Sequence, residues 1–181
     1  MLERAQRLRY EVYCLELARQ SPHADHDSKT IKDDLDAFGH TFVAIEDGET
    51  IGTLRTNFST EGPLGAFEQL YGMSASKHHP DRTAICTKFI VKKSKRGSLA
   101  FYKLVVAWLD YIMTRGALEC YIDCTPNLVP FYERFGFARA VGAPFCHHEN
   151  GLSFPMMLNL AQHGRSLCER FSASDYRSPN G

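Results

Sequence analysis

The chain has 181 residues, 44% of them hydrophobic, and its 21 basic side chains balance its 21 acidic ones. That length fits one domain with a sizeable core, and the balanced charge offers no general affinity for nucleic acid or an anionic membrane, although an average can hide a local patch. The N-terminus lacks the apolar stretch of a signal peptide and no apolar run approaches the ~20 residues of a bilayer span; the six cysteines include no C-x-x-C pair, so a cytoplasmic protein with reduced thiols and no membrane partner is expected.

In chain order, Leu2, Ala5, Leu8, Val12 and Leu15 recur at spacings of three and four and predict an amphipathic helix over 2–18, with Arg4, Arg7 and Glu11 opposite. Residues 19–38 are polar and read as a long loop. Strands are predicted at 40–46 and 50–58, joined by Asp47-Gly48, a dipeptide suited to the positive φ of a tight hairpin. Residues 64–72 read as a short helix and 73–82 as loop. A third strand, 83–93, is apolar at its centre and so interior. A long helix follows over 97–115, its stripe formed by Ala100, Leu104, Ala107, Trp108 and Tyr111, with Gly116 at its end. Then come a strand at 117–124, a short helix at 126–135 opened by Pro126, and closing strands at 137–142 and 151–159. The order α-β-β-α-β-α-β-α-β-β predicts a mixed α/β fold. Its central sheet is mostly antiparallel, with helices on both faces and one parallel pair flanking the long helix. Residues 1–171 form the single expected domain, and 172–181 a flexible C-terminal tail.

Two local patterns point to chemistry. Lys92, Lys93, Lys95 and Arg96 precede Gly97-Ser98 at a helix start, where free amides and the helix dipole attract a phosphate; a solvated charge run with a capping serine is the plainer account. After the neighbouring parallel strand, a short helix carries Tyr132. If the two strands splay, a pantetheine arm can enter between them and pair with strand backbone near Phe89 and Val91. Phe131 and Phe135 are spaced to take the core face of that helix, which directs Tyr132 elsewhere; the alternative makes Tyr132 one more core aromatic.

With these residues the chain resembles the GNAT-fold acyltransferases. Lys95-Arg96-Gly97-Ser98 stands where the family has its donor-phosphate loop, and Asn127…Tyr132…Gly136-Phe137 matches the family's closing pattern. Ser94 and Leu99 depart from it, where Gln or Arg and Gly or Ala are usual. In the N-terminal half, Leu8-Arg9-Tyr10-Glu11-Val12-Tyr13, Asp33…Asp36, Gly52-Thr53-Leu54-Arg55 and Cys86-Thr87-Lys88-Phe89 resemble the N-acyl amino acid synthase and autoinducer (acyl-homoserine lactone) synthase branch. This likeness runs in order over about residues 4–160.

The resemblance implies an N-acyltransferase with no permanently bound cofactor. It would move an acyl group from a phosphopantetheine thioester, on acyl carrier protein or acyl-CoA, to the amine of an amino acid or related small molecule by direct attack. Tyr132 would protonate the leaving thiolate, and a backbone N–H at Val91 would stabilise the oxyanion. Phe89, Val91, Lys95, Arg96, Gly97, Ser98 and Asn127 would bind the donor. Arg9, Asp33, Asp36, Arg55 and Lys88 would bind the acceptor, Arg9 and Arg55 suiting a carboxylate; for all five the plainer account is ion pairing and loop capping. The branch's glutamate before the Cys-x-x-Phe stretch is Ile85 here, and the first acid of its loop is Ile31. An apolar side chain cannot act as a base, so homoserine-lactone synthesis is not expected.

Two other functions stay open. One is transfer of an aminoacyl group from aminoacyl-tRNA, with Lys92, Lys93, Lys95, Arg96, Arg165 and Arg170 on RNA phosphates. The other is a non-catalytic module that only binds the acyl donor. Cys146-His147-His148-Glu149 suggests a metal, but adjacent histidines on a strand face opposite ways, so none is expected; His147 or His148 could line the acceptor pocket. Cys86 and Cys124 read as small packed hydrophobes.

Overall fold

The computed structural model describes residues 1–96 and 98–172. Helix α1 (Leu2–Tyr10) buries Ala5 and Leu8 and leaves Arg4 and Arg7 exposed. The helix then widens into a π-helical segment, Glu11–Glu16, in which Leu17 N–H reaches Val12 O and Arg19 N–H reaches Tyr13 O. The widening turns Val12 and Tyr13 inward and Leu15 outward, 67% exposed, so the predicted stripe ends at Val12. The expected loop of 19–38 holds a small hairpin, β1 (Ala24–Asp25) with β2 (Thr30–Ile31), and a 3₁₀ turn, Asp34–Ala37, capped by the Asp33 carboxylate.

The main sheet has seven strands: β3 (His40–Glu46), β4 (Glu49–Phe58), β5 (Thr83–Val91), β6 (Glu119–Cys124), β7 (Phe137–Arg139), β8 (Phe145–His147) and β9 (Gly151–Asn159). Its order is β3-β4-β5-β6-β9-β7, with β8 against β9, and every pairing is antiparallel except β5–β6. Asp47 and Gly48 turn the β3–β4 hairpin at φ 50° and 78°. The expected mixed α/β fold with one parallel pair is therefore the one formed. The predicted 64–72 helix shrinks to one turn, α2 (Phe67–Leu70). The long helix is α3 (Leu99–Thr114), and α4 (Val129–Glu133) follows β6.

Sequence reading missed β8 and a last helix, α5 (Leu160–Ser172), which starts directly after β9 without a turn residue to announce it. Ser172, assigned to the tail, ends this helix; the rest of the predicted tail, 173–181, lies outside the described residues. Gly164 lets α5 approach α3, because a Cβ there would stand 2.4 Å from Met113 Sδ. The α3 stripe also differs from expectation. Leu104, Val105, Trp108, Leu109 and Ile112 are buried and Ala107 is exposed, since α5 and the sheet press on α3 from two sides. The main core lies between the sheet and α3 and α5; smaller clusters on the opposite face join α1 to β2 and gather Leu35, Leu64, Tyr71, Ile85 and Tyr121. No helix among the described residues is long and apolar enough to cross a membrane.

Candidate active site

Two irregularities in β5 shape the site. Its parallel pairing with β6 stops at Ile85↔Tyr121, although β5 continues to Val91 and β6 to Cys124. The strands therefore part, leaving backbone without a sheet partner on that side. Opposite Leu54, β5 also carries an extra residue: Thr53 faces Ile90 and Arg55 faces Thr87. Lys88 sits in this bulge at φ 54°, a left-handed conformation uncommon for a residue with a Cβ. A regular strand would alternate Lys88 onto the apolar face with Ala84 and Cys86. The bulge puts Thr87 and Lys88 on the polar face together and sends Phe89 to α3, where it stacks on Phe101 at 5.4 Å. Beyond the bulge, Lys92 N–H bonds Ile51 O, so Gly52↔Val91 is the non-hydrogen-bonded pair of the ladder. By that alternation the Val91 N–H is directed away from β4, toward the gap.

A cavity of about 920 Å³ occupies this gap and is lined by residues from both sheet faces. One end is apolar, lined by Phe101, Val105, Trp108 and Leu109 of α3, Phe131 of α4, and Leu167 and Phe171 of α5. The other end is polar, lined by Tyr13, Arg19, His23, Asp33, Arg55, Lys88, Asp123 and the run 147–150. Tyr132 lies where the two meet: its phenol feels Cys86 and Cys124 from one face and Asp123 and Tyr13 from the other. Burial, with these neighbours, pushes that phenol well above its ordinary value, so it is a proton donor and not a phenolate. Its hydroxyl makes no hydrogen bond among the described residues. The ring packs edge-on against Phe131 and Phe137, and Tyr132 joins the main core cluster together with Phe135. Burial likewise pushes the Cys86 thiol upward and that of Cys124 to about 11, which makes both poor nucleophiles.

The residues assigned to the acceptor divide into two groups. Arg9 is 0% exposed and lies outside the cavity lining, its Nη1 donating to both Asp36 oxygens at 2.8 and 2.9 Å. Arg55 is 1% exposed and is held by Asp33 and by Asp36. Burial opposes the charged forms of Asp33 and Asp36, but the guanidinium groups hold both below the usual carboxylate range. Arg9 and Asp36, expected at the acceptor, both lie outside the cavity lining and brace α1 against the 34–37 turn. Arg55 reaches the cavity with its charge already matched. Asp33 and Lys88 line the cavity, Lys88 donating to Glu149 at 2.6 Å.

The donor residues also divide. Phe89, Val91, Arg96 and Asn127 line the cavity; Lys95 and Ser98 do not. Lys95 pairs with Glu46 and Arg96 with Glu16, while Arg96 Nε also donates to Val91 O at 3.2 Å. Ser98 stands at the N-cap of α3 with a buried Oγ that has no partner among the described residues. Gly97 lies outside the described residues.

Ile85 is fully buried beside Leu35 and Tyr121, so β5 presents no base there. The expected divergence of His147 and His148 is overturned. Strand β8 ends at His147 and a turn brings the two rings to a 4.4 Å stack, with ligand atoms of His147, His148 and Glu149 within 4.8 Å of one another. Glu149 is already engaged by the Lys88 ammonium and, at 2.5 Å, by the Ser21 hydroxyl. His147 Nδ1 accepts the Glu149 N–H at 3.0 Å, and burial lowers the pKa of the ring. A neutral His147 then carries its proton on Nε2 and acts as a donor. Sequence reading missed Arg19, His23 and Asp123, and met Glu149 only within the Cys146-His147-His148-Glu149 run. Asp123 had a legible signal, an acid directly after the apolar run 120–122 of its strand; the others come from loops that only folding assembles.

A family model for N-acyl amino acid synthase FeeM matches residues 4–161. A comparison with curated protein sequences returns no match. Among solved structures, a CoA-dependent acyl-homoserine lactone synthase, BjaI, with SAM and isopentyl-CoA is similar at TM-score 0.74 and 17% identity, over 94% of this chain and 82% of that one. MesI, also a CoA-dependent acyl-homoserine lactone synthase, gives 0.73 and 19%, over 99% and 92%. FeeM, an N-acyl amino acid synthase from uncultured soil microbes, gives 0.69 and 17%, over 92% and 94%. At these identities the structures establish a shared fold, while the family model covers most of the sequence. The chain belongs to the N-acyl amino acid synthase FeeM family, a family of acyltransferases.

Proposed function

We propose that the protein transfers an acyl group from a phosphopantetheine thioester, borne by acyl-CoA or acyl carrier protein, to the amine of an amino acid. The observation that supports this most is the cavity through the parted strands, apolar at one end, polar at the other, with a protonated phenol between. The acyl chain lies among Phe101, Leu109, Leu167 and Phe171. The pantetheine arm takes the place of the missing strand pairing along Phe89–Val91, and its phosphate end meets the start of α3 near Arg96 and Ser98. The amine comes from the polar side and attacks the thioester carbonyl. The Val91 N–H stabilises the oxyanion, and Tyr132 protonates the departing thiolate. Holding amine and thioester together supplies much of the rate without a covalent enzyme intermediate.

The test is an intact-mass screen in which purified protein meets acyl-CoA, acyl carrier protein or aminoacyl-tRNA, each with pooled amino acids and amines. N-acyl product from a pantetheine donor is expected. Product from charged tRNA alone replaces the donor, and donor binding without any product removes the catalytic reading.

A further inference from the structure

The charged side chains of the cavity leave two unmatched. Arg55 is matched by Asp33 and Asp36, Lys88 by Glu149 and Asp33, and Arg96 by Glu16. Arg19 has no carboxylate partner among the described residues. Its Nη1 donates to Asn150 Oδ1 at 2.6 Å, and its guanidinium lies 5.3 Å from the Tyr13 ring centre. Of the cavity's acids, Asp33 and Glu149 have cations and Asp34 is exposed. Asp123 has no cation partner among the described residues: Oδ1 accepts the Tyr71 hydroxyl at 2.7 Å, and Oδ2 is buried without a partner among them. A buried carboxylate oxygen left without a hydrogen-bond donor is costly, and a charged donor relieves that cost most effectively. Arg19 and Asp123 both line the polar end of the cavity with Tyr13, whose ring lies under the Arg19 guanidinium.

We propose that Arg19 and Asp123 together seat the acceptor as a zwitterion, Arg19 taking the carboxylate and Asp123 the ammonium and then its proton. This rests on the acyl-transfer reading and names the residues that select and activate the acceptor. Asp123 and Tyr121 alternate onto the sheet face that carries Ile85, so the base stands one strand away from the apolar Ile85. The Tyr71 hydrogen bond orients the carboxylate and leaves Oδ2 without a donor among the described residues. Asp123 removes one proton from the ammonium and the freed amine adds to the thioester carbonyl carbon. The tetrahedral adduct loses its second nitrogen proton as the C–S bond breaks, and the thiolate takes a proton through Tyr132. The sum is ammonium plus thioester giving amide, thiol and one proton released to solvent through Asp123.

The experiment compares wild type, Arg19→Ala, Asp123→Asn and Asp123→Glu with a matched set: the best amino acid from the donor screen, its methyl ester and its decarboxylated amine. Arg19→Ala is expected to raise KM for the free acid about ten- to a hundredfold, the scale of one charge-assisted contact, and to leave KM for the ester and the donor within about twofold. Asp123→Asn is expected to lower kcat. Its residual rate should rise about tenfold per pH unit toward the amine's own pKa, because only pre-formed free amine then reacts. Asp123→Glu should restore part of the rate and flatten that slope. Calorimetric binding of the N-acyl amino acid product, compared with its methyl ester, reads the Arg19 contact without turnover. If wild type acylates amines but Arg19→Ala keeps full preference for the acid, or Asp123→Asn keeps the wild-type pH profile, the zwitterion seat is wrong while acyl transfer stands. If wild type acylates nothing, the acyl-transfer reading fails first.

Discussion

Replacing Asp36 with asparagine tests whether Arg9 and Asp36 form scaffold and not acceptor site. Asp36 is the sole carboxylate partner of Arg9 among the described residues and also accepts from Arg55 Nη1 at 2.8 Å and from the Asp33 N–H at 3.3 Å. The side chains of Arg9 and Asp36 are 0% and 1% exposed, so water cannot replace a lost charge. Arg55 would keep Asp33, but Arg9 would be left as a buried, unpaired cation, and its Nε and Nη2 already lack partners among the described residues. Removing one member of such a pair costs about 3–5 kcal/mol, against a total of ~5–15 kcal/mol for a domain. With a urea slope of ~2 kcal/mol/M, Asp36→Asn should move the unfolding midpoint down by about 1.5–2.5 M. The single tryptophan, Trp108, is 5% exposed in the main core and reports the transition by fluorescence. Arg9→Met combined with Asp36→Leu should recover most of the loss, because apolar replacement of a whole buried pair is often neutral. A loss below about 1 kcal/mol in the single variant, or a raised acceptor KM in a variant of unchanged stability, would refute the scaffold account.

Tyr132→Phe should lower kcat with donor affinity retained, read by turnover beside calorimetric donor binding; unchanged turnover removes the phenol from the reaction. Leu167→Trp should fill the apolar end and shift preference to shorter acyl chains. Each CH₂ lost from burial is worth ~0.8 kcal/mol, so a competition among donors of graded length should show it, and an unmoved optimum would place the chain elsewhere. Ile85→Glu should destabilise the fold by several kcal/mol without raising turnover, since the site is sealed by Leu35 and Tyr121. Stability should also be lost in acid. Asp33, Asp36 and Glu149 are held below their ordinary values, so their contribution is complete above about pH 4 and disappears as pH falls through the lowered values. Flat stability from pH 5 to 2 would contradict the ion network.

The apolar centre of β5, the Asp47-Gly48 turn and the spacing of α3 are local signals, and they were enough for the α/β order and the single parallel pair flanking α3. The motif around Tyr132 was legible for the same reason: strand, proline and short helix follow one another in the chain. Helix α5 was not, because it begins where β9 ends, and its Leu160, Gly164, Leu167 face gains meaning only against α3. Charge partners were the least legible part. Arg9 and Arg55 look like carboxylate binders until Asp33 and Asp36 arrive from a separate loop, and Arg19 stands out only once the other cavity cations, Arg55, Lys88 and Arg96, have their acids. A sequence shows which charges exist. Which of them cancel depends on distances of a few ångströms between segments far apart in the chain, because pairing strength falls steeply with separation and rises with burial. Local chain chemistry determined the fold and the phenol. Tertiary packing alone decided which charges remain for a substrate.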